Sequence, residues 1–229
     1  LLGGEMWAEM ATNYFPNAQA ASWQTRLFSL DSGYVPFPQR VISIAFAFLG
    51  LSAQQIPHAY NWSSMIFSTG LVAVFCLRPF RKVVEGDLLR FLVACCVMLS
   101  VDFESRAYIN FTYFVAFYAA VISVLCGVAR DDEGIPWYVY TLPFWMFSKP
   151  AVLAALPVII VAGAFSKLRF RLVAVASVLV CVTQVWILSV SQKGSGFAPK
   201  AAVSGYEAIL AASGYGLGFL AKYVIKIDF

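Results

Sequence analysis

The chain has 229 residues, of which 61% are hydrophobic and 12% charged, against roughly 25% charged in an ordinary soluble domain. With a net charge of +4 and a mean hydropathy of +0.76, this composition excludes a soluble globular enzyme, and its short basic groups at segment ends fit membrane topology rather than nucleic-acid affinity. The apolar runs suit helices, a span needing about 20 residues, and lack the alternation of porin strands, so the expected fold is all-α, a polytopic transmembrane helix bundle in one domain, 1–229.

Residues 1–40 carry Trp7, Tyr14, Trp23, Arg26, Asp31 and Arg40, with Pro16, Pro36 and Pro38 among them. Aromatic residues favour the headgroup level and proline interrupts regular structure, so this stretch reads as an external, interfacial segment with one or two short helices. The chain opens Leu-Leu-Gly-Gly without an initiator methionine, and it reads as a piece lacking its first span.

The apolar run 41–77 is interrupted by polar residues and Pro57 at 54–61. It holds either two crossings, or one interfacial or re-entrant helix and one crossing. Further spans are expected at 87–101, 108–129, 136–147, 151–166 and 170–191, with a weaker one at 203–226. That makes six to eight membrane segments. If the basic loop 78–82 is cytoplasmic, alternation puts 102–107 and 147–149 outside and 130–134 and 167–171 inside. The inside loops then hold Arg78, Arg81, Lys82, Arg130, Lys167, Arg169 and Arg171, as the positive-inside rule requires. This favours a single crossing within 41–77.

Two acidic clusters stand out in so apolar a chain: Glu5 with Glu9, and Asp102 with Glu104. Four residues apart, Glu5 and Glu9 share a helix face. Asp102 and Glu104 end a span beside Arg106, Tyr108 and Asn110; they form a local salt bridge, bind a divalent cation through oxygen, or hold a basic group near a diphosphate. Arg26, Arg40 and Lys149 are the basic candidates for a lipid-linked phosphate. A guanidinium at headgroup depth grips phosphate with two parallel bonds.

His58, the one histidine, reads as a helix-start residue. Cys76, Cys95, Cys96, Cys126 and Cys181 lie in apolar runs and serve packing. Zinc is excluded on ligand grounds, and no metal site is assigned. The glycines of 214–219 follow no strand and read as small-residue helix contacts rather than a phosphate loop.

The segment MWAEMATNYFPNA at 6–18, followed by LFSLDSGYVPFPQRVISIA at 27–45, resembles bacterial multi-span glycosyltransferases of the GT-C type. Trp7, Glu9, Phe15 and Ala18 fit that group's first motif, and Gly33, Tyr34, Pro38 and Arg40 its second. ESRAYIN at 104–110 and SKPAVLAALP at 148–157 are similar to its later signals. The resemblance implies a hexosyl or pentosyl transferase in the bacterial cytoplasmic (inner) membrane. It would move a sugar from a polyprenyl-phosphate donor to a glycan, lipid or protein acceptor on the outer face, amid membrane lipids and without nucleic acid.

By that resemblance Glu9 is the first external acid, and Asp102 or Glu104 the second. Met10 and Ala11 stand where the group has Asp-Gly, so the acid is Glu9, its helix-face neighbour Glu5, or absent. The expected catalytic set is Glu5, Glu9, Asp102 and Glu104, and the expected substrate-binding set is Arg26, Asp31, Tyr34, Arg40, Arg106, Asn110 and Lys149. A divalent cation, Mg or Mn, is used by some enzymes of this type and not by others. Two other readings stay open. A transporter or flippase-like protein would carry acids deep within its spans and inverted repeats; a non-catalytic membrane subunit would use its aromatic helices for assembly alone.

Overall fold

The computed structural model describes residues 10–52, 54–100, 106–128 and 135–192. Contacts divide the chain into two units, Leu1–Ser189 and Val190–Phe229. Of the second, only its first three residues are described, as the last turn of a helix that begins in the first. The expected span at 203–226 lies outside the described residues.

The fold is all-α. Among the described residues there is no strand, only one isolated bridge between Asp31 and Tyr34. The helices are α1 (Phe15–Ala18), α2 (Trp23–Phe28), α3 (Phe37–Phe48), α4 (Ile56–Ala73), α5 (Asp87–Ser100), α6 (Phe114–Val128), α7 (Leu142–Met146), α8 (Leu156–Phe165) and α9 (Leu168–Gln192). A π-helical turn at Met10–Tyr14 leads into α1, and short 3₁₀ turns fill several junctions.

Proline starts these helices more than it breaks them. In α1, α3, α4, α7 and α8 it is the second residue, where the missing N–H removes one of the donors that a helix start leaves unbonded anyway. The same rule divides the expected span 136–147 into a 3₁₀ turn at Trp137–Thr141 and the five-residue α7. It likewise divides 151–166 into a turn at Pro150–Ala155 and α8. Within 41–77 the break comes from Gly50, whose φ of 63° lies in the left-handed region that glycine enters freely. It ends α3 after 12 residues, about 18 Å at 1.5 Å per residue.

Ring pairs fix the helix directions. Tyr60 stacks on Tyr108, Phe67 on Phe111, and Phe75 meets Phe117 edge-on, so α4 and α6 run in the same direction. Lys149, ahead of α8, meets Asn110, ahead of α6, and Ser166 just after α8 donates to the Cys126 carbonyl near the end of α6, so α8 runs with them. After α4 and α8 come the basic stretches 78–82 and 167–171. From the second of these α9 returns toward the opposite end.

Two helical segments, Phe111–Val128 and Leu168–Ser191, are long and apolar enough to cross a membrane. They differ in surroundings: 56% of the first is buried, but only 28% of the second. Leu168, Leu172, Val175, Leu179, Val182 and Trp186 form an exposed stripe at helical spacing along α9. Its buried face carries Phe170, Val173, Ala174, Ser177, Cys181 and Gln184. An apolar helix that turns its larger residues outward is not the core helix of a water-soluble protein.

Candidate functional site

The site starts from a four-residue turn. Asp31 N–H donates to the Tyr34 carbonyl at 2.8 Å and Tyr34 N–H returns a bond to Asp31 at 3.1 Å, while Ser32 and Gly33 take φ of 49° and 89°. Two successive positive φ values close the chain in the tight I′ sense. Glycine meets that demand without cost; Ser32 sits where a side chain is strained.

This turn presents a buried carboxylate to two phenols. The Tyr14 hydroxyl donates to Asp31 Oδ2 at 2.7 Å, and Ser32 Oγ lies 3.4 Å from Oδ1. The Tyr34 phenol stands close enough to the same carboxylate to be perturbed by its charge. Burial first, then the negative charge of Asp31, pushes both Tyr14 and Tyr34 well above the usual phenol range.

Beneath Tyr14 lies Arg40, 1% exposed. Its Nη1 donates to the Asn13 carbonyl at 3.1 Å and its Nη2 to Asn13 Oδ1 at 2.6 Å, while Nε and Nη2 reach the Ser29 carbonyl at 3.2 and 3.0 Å. The guanidinium also stands 4.7 Å from the Tyr14 ring centroid. Burial lowers its pKa against the nearby Tyr14 and Asp31. Four of the five N–H donors of a guanidinium are thus spent on neutral acceptors, which makes Arg40 the post that fixes Asn13, Tyr14 and Ser29 rather than a phosphate clamp.

A second half comes from much later in the chain. Lys149 Nζ donates to Asn110 Oδ1 and lies 4.9 Å from the Tyr113 ring centroid. Tyr113 in turn is close enough to Tyr34 to perturb it. Two links hold the halves together. Phe37 N–H donates to the Phe147 carbonyl at 3.0 Å, and Gln184, projecting from α9, donates to the Val35 carbonyl at 2.6 Å and the Ser148 carbonyl at 2.7 Å while accepting from Val35 N–H at 3.2 Å.

Of the seven expected binding residues, the structure therefore gathers Asp31, Tyr34, Arg40, Asn110 and Lys149 into one region. Arg26 goes elsewhere: its guanidinium stacks over Trp23 and Phe48, and Nε donates to the Ala20 carbonyl. Arg106 donates to the Met98 carbonyl near the end of α5, satisfying an acceptor that a helix end leaves open. The expected catalytic acids Glu5, Glu9, Asp102 and Glu104 lie outside the described residues. His58 is an exposed residue in the first turn of α4.

Sequence reasoning missed Tyr14, Tyr113 and Gln184. The signal for Gln184 was present: it is a lone amide on the same helix face as Ser177 and Cys181, within a long apolar run, where an unbonded polar group is costly.

Chemically, the region offers a buried carboxylate held by the Tyr14 phenol with a second phenol beside it, and an ammonium held by an amide and an aromatic face. Such a pairing suits a ligand with hydroxyls at one end and an anionic group at the other. Among the described residues no three His, Cys, Asp or Glu side chains converge as metal ligands. No protein-family model, curated protein or solved structure matches the chain.

Proposed function

We propose that this protein is a multi-pass membrane glycosyltransferase that moves a sugar from a polyprenyl-phosphate donor to a cell-envelope acceptor. The observation that carries the reading is the meeting of Asp31 and Tyr34 with Asn110 and Lys149 across the Gln184 clamp. Sugar hydroxyls suit the first pair, and a phosphate suits the ammonium of the second. The outward apolar stripe of α9 supports a membrane setting. The shared direction of α4, α6 and α8, away from this region and toward the basic stretches, supports its placement on the outer face.

Sugar transfer from a glycosyl phosphate asks for a positioned acceptor hydroxyl, a base to take its proton, and a cation to receive the departing phosphate. Lys149 takes the last role, and Asp31 with Tyr34 orients a hydroxyl. The base is drawn from Glu9, Glu5, Asp102 and Glu104, as the motif resemblance implies. α3 is too short to cross a hydrocarbon core of about 30 Å. Its two ends meet Phe147 and Tyr60, which supports an interfacial role beside the donor headgroup.

The test uses proteoliposomes supplied with radiolabelled polyprenyl-phosphate sugars and an extracted envelope acceptor. Transfer is expected, with Lys149→Met and Asp31→Asn each reducing it about 100-fold, the scale of losing one oriented polar contact to a reacting ligand. Glu9→Gln and Glu104→Gln identify the base. Turnover undiminished in all four variants overturns the assignment.

A further inference from the structure

α2 runs back along α3, since Phe28 meets Phe37 with ring centroids 6.0 Å apart and Trp23 meets Phe48 at 5.8 Å. The Phe37 end adjoins the Asp31–Lys149 region through the Phe147 carbonyl. The opposite corner holds Trp23, Arg26 and Phe48, the last residue of α3. There the Arg26 guanidinium stands over both rings, 5.1 Å from the centroid of Trp23 and 5.9 Å from that of Phe48. Such contacts between a cation and a ring hold the group in place.

Arg26 is the opposite of Arg40 in how it spends its donors. Its Nε donates to the Ala20 carbonyl, while among the described residues neither Nη1 nor Nη2 has an acceptor. Four of the five N–H donors of a guanidinium are thus available on the edge that grips a phosphate with two parallel bonds. Around this edge the surface is apolar: Trp23 is 55% exposed, Phe48 66% and Leu49 69%. Ser22, Gln24 and Thr25 are exposed in the same turn of chain.

Water would satisfy that guanidinium edge but not the rings, and hydrocarbon the rings but not the edge. The headgroup level of a bilayer satisfies both, because aromatic side chains favour it and its phosphates meet cations there. The height of the corner agrees. Phe46, in the last turn of α3, packs on Tyr60 near the start of α4, so the corner lies at the same end of the bundle as the Asp31–Lys149 region.

We infer that this corner is a docking surface for bilayer phospholipid: the Arg26 Nη1 and Nη2 groups take the headgroup phosphate, and Trp23, Phe48 and Leu49 enter the adjoining acyl layer. Charge complementarity selects the occupant, since a headgroup without phosphate leaves the guanidinium edge unmatched. The inference rests on the membrane setting argued above and is independent of sugar transfer.

Its test reads the lipid beside Trp23. The full chain and its Trp23→Phe variant are reconstituted in vesicles of equal parts phosphatidylglycerol and digalactosyldiacylglycerol, with a nitroxide near the top of the acyl chain of one lipid and then of the other. The emission lost on replacing Trp23 is the Trp23 signal. Labelled phosphatidylglycerol is expected to quench it about fivefold more than labelled galactolipid, the scale of one cation near an anionic headgroup. Arg26→Gln, measured against its own Trp23→Phe partner, brings that ratio to about one, and Arg26→Lys, which keeps the charge and loses the fork, to about two. Equal quenching by the two lipids in the unaltered chain overturns the proposal, as does an unchanged ratio in Arg26→Gln. A Trp23 signal quenched by aqueous iodide and by neither lipid also overturns it, putting the corner in water or on a glycan. Release of the chain from membranes by alkaline carbonate would instead overturn the membrane setting, and this site with it.

Discussion

Gln184 holds Val35 by both of its backbone polar groups, accepting from the N–H and donating to the carbonyl across 149 residues of sequence. The same amide donates to the Ser148 carbonyl, so one side chain on α9 sets the spacing between the loop bearing Tyr34 and the loop bearing Lys149.

Replacing that amide strands the Val35 N–H and the Ser148 carbonyl, while the Val35 carbonyl keeps its bond from Phe37 N–H. Gln184→Leu is expected to cost about 2–4 kcal/mol, since each unsatisfied buried group costs roughly 1–3 kcal/mol before relaxation. Gln184→Glu costs at least as much, because a carboxylate cannot donate to two carbonyls. Thermal unfolding in detergent checks both, and a loss under about 0.5 kcal/mol in each, the range of an ordinary surface substitution, would refute the clamp.

Arg40 separates charge from geometry. Arg40→Lys keeps the charge but cannot reach Asn13 and Ser29 together, so it should destabilise by about 2–3 kcal/mol, and Arg40→Met by about 3–5 kcal/mol. A lysine variant as stable as the parent would show that the cation, not its fork, holds the segment. The readout is again the unfolding midpoint.

Neighbouring positions of the 31–34 turn should respond with opposite signs. Gly33→Ala puts a side chain at φ 89° and should cost about 1–2 kcal/mol. Ser32→Gly relieves a residue at φ 49°; the left-handed penalty of about 1–2 kcal/mol exceeds glycine's entropic loss of roughly 0.5–1 kcal/mol, leaving a small net gain. Equal destabilisation by both changes would contradict the turn geometry.

Alkali should act on the two phenols at Asp31. Their folded pKa values stand above the ordinary 10.0, so the folded state holds protons that the unfolded chain releases. Stability is therefore fully present below about pH 10 and declines as pH rises beyond it. Tyrosinate absorbance should rise only on unfolding for Tyr14 and Tyr34, a component that Tyr14→Phe and Tyr34→Phe remove. Ionisation of both in the folded chain near pH 10 would contradict their burial beside Asp31.

The α8–α9 contact closes tightly against a glycine. A Cβ on Gly163 would come within 2.8 Å of the Ala174 Cβ, so Gly163→Ala should cost about 1–3 kcal/mol. Gly163→Ala with Ala174→Gly should recover most of that loss. Absence of recovery would mean that the strain lies in the backbone instead.

Much of this architecture was legible in the sequence, and particular residues show why the rest was not. The long apolar run at 170–191 foretold α9 at Leu168–Gln192, because periodicity and length agree there. Residues 136–147 read as a span by composition, but Pro136 and Pro143 set two starts within it, and hydropathy is blind to such punctuation. Asp31, Tyr34, Asn110 and Lys149 stood out by residue type. Their company did not, since Gln184 joins them through backbone carbonyls, which any residue supplies and no motif records. The burial of Arg40 was hidden for the same reason.

Synthesis imposes an order on the same region. The partners of Arg40 lie 11 and 27 residues before it, so that nest can form while the ribosome is still making α4. Gln184 emerges 149 residues after Val35, roughly 7–30 s later at 5–20 residues per second. During that interval the Tyr34 loop is exposed without its clamp to whatever insertion machinery or chaperone attends the nascent chain.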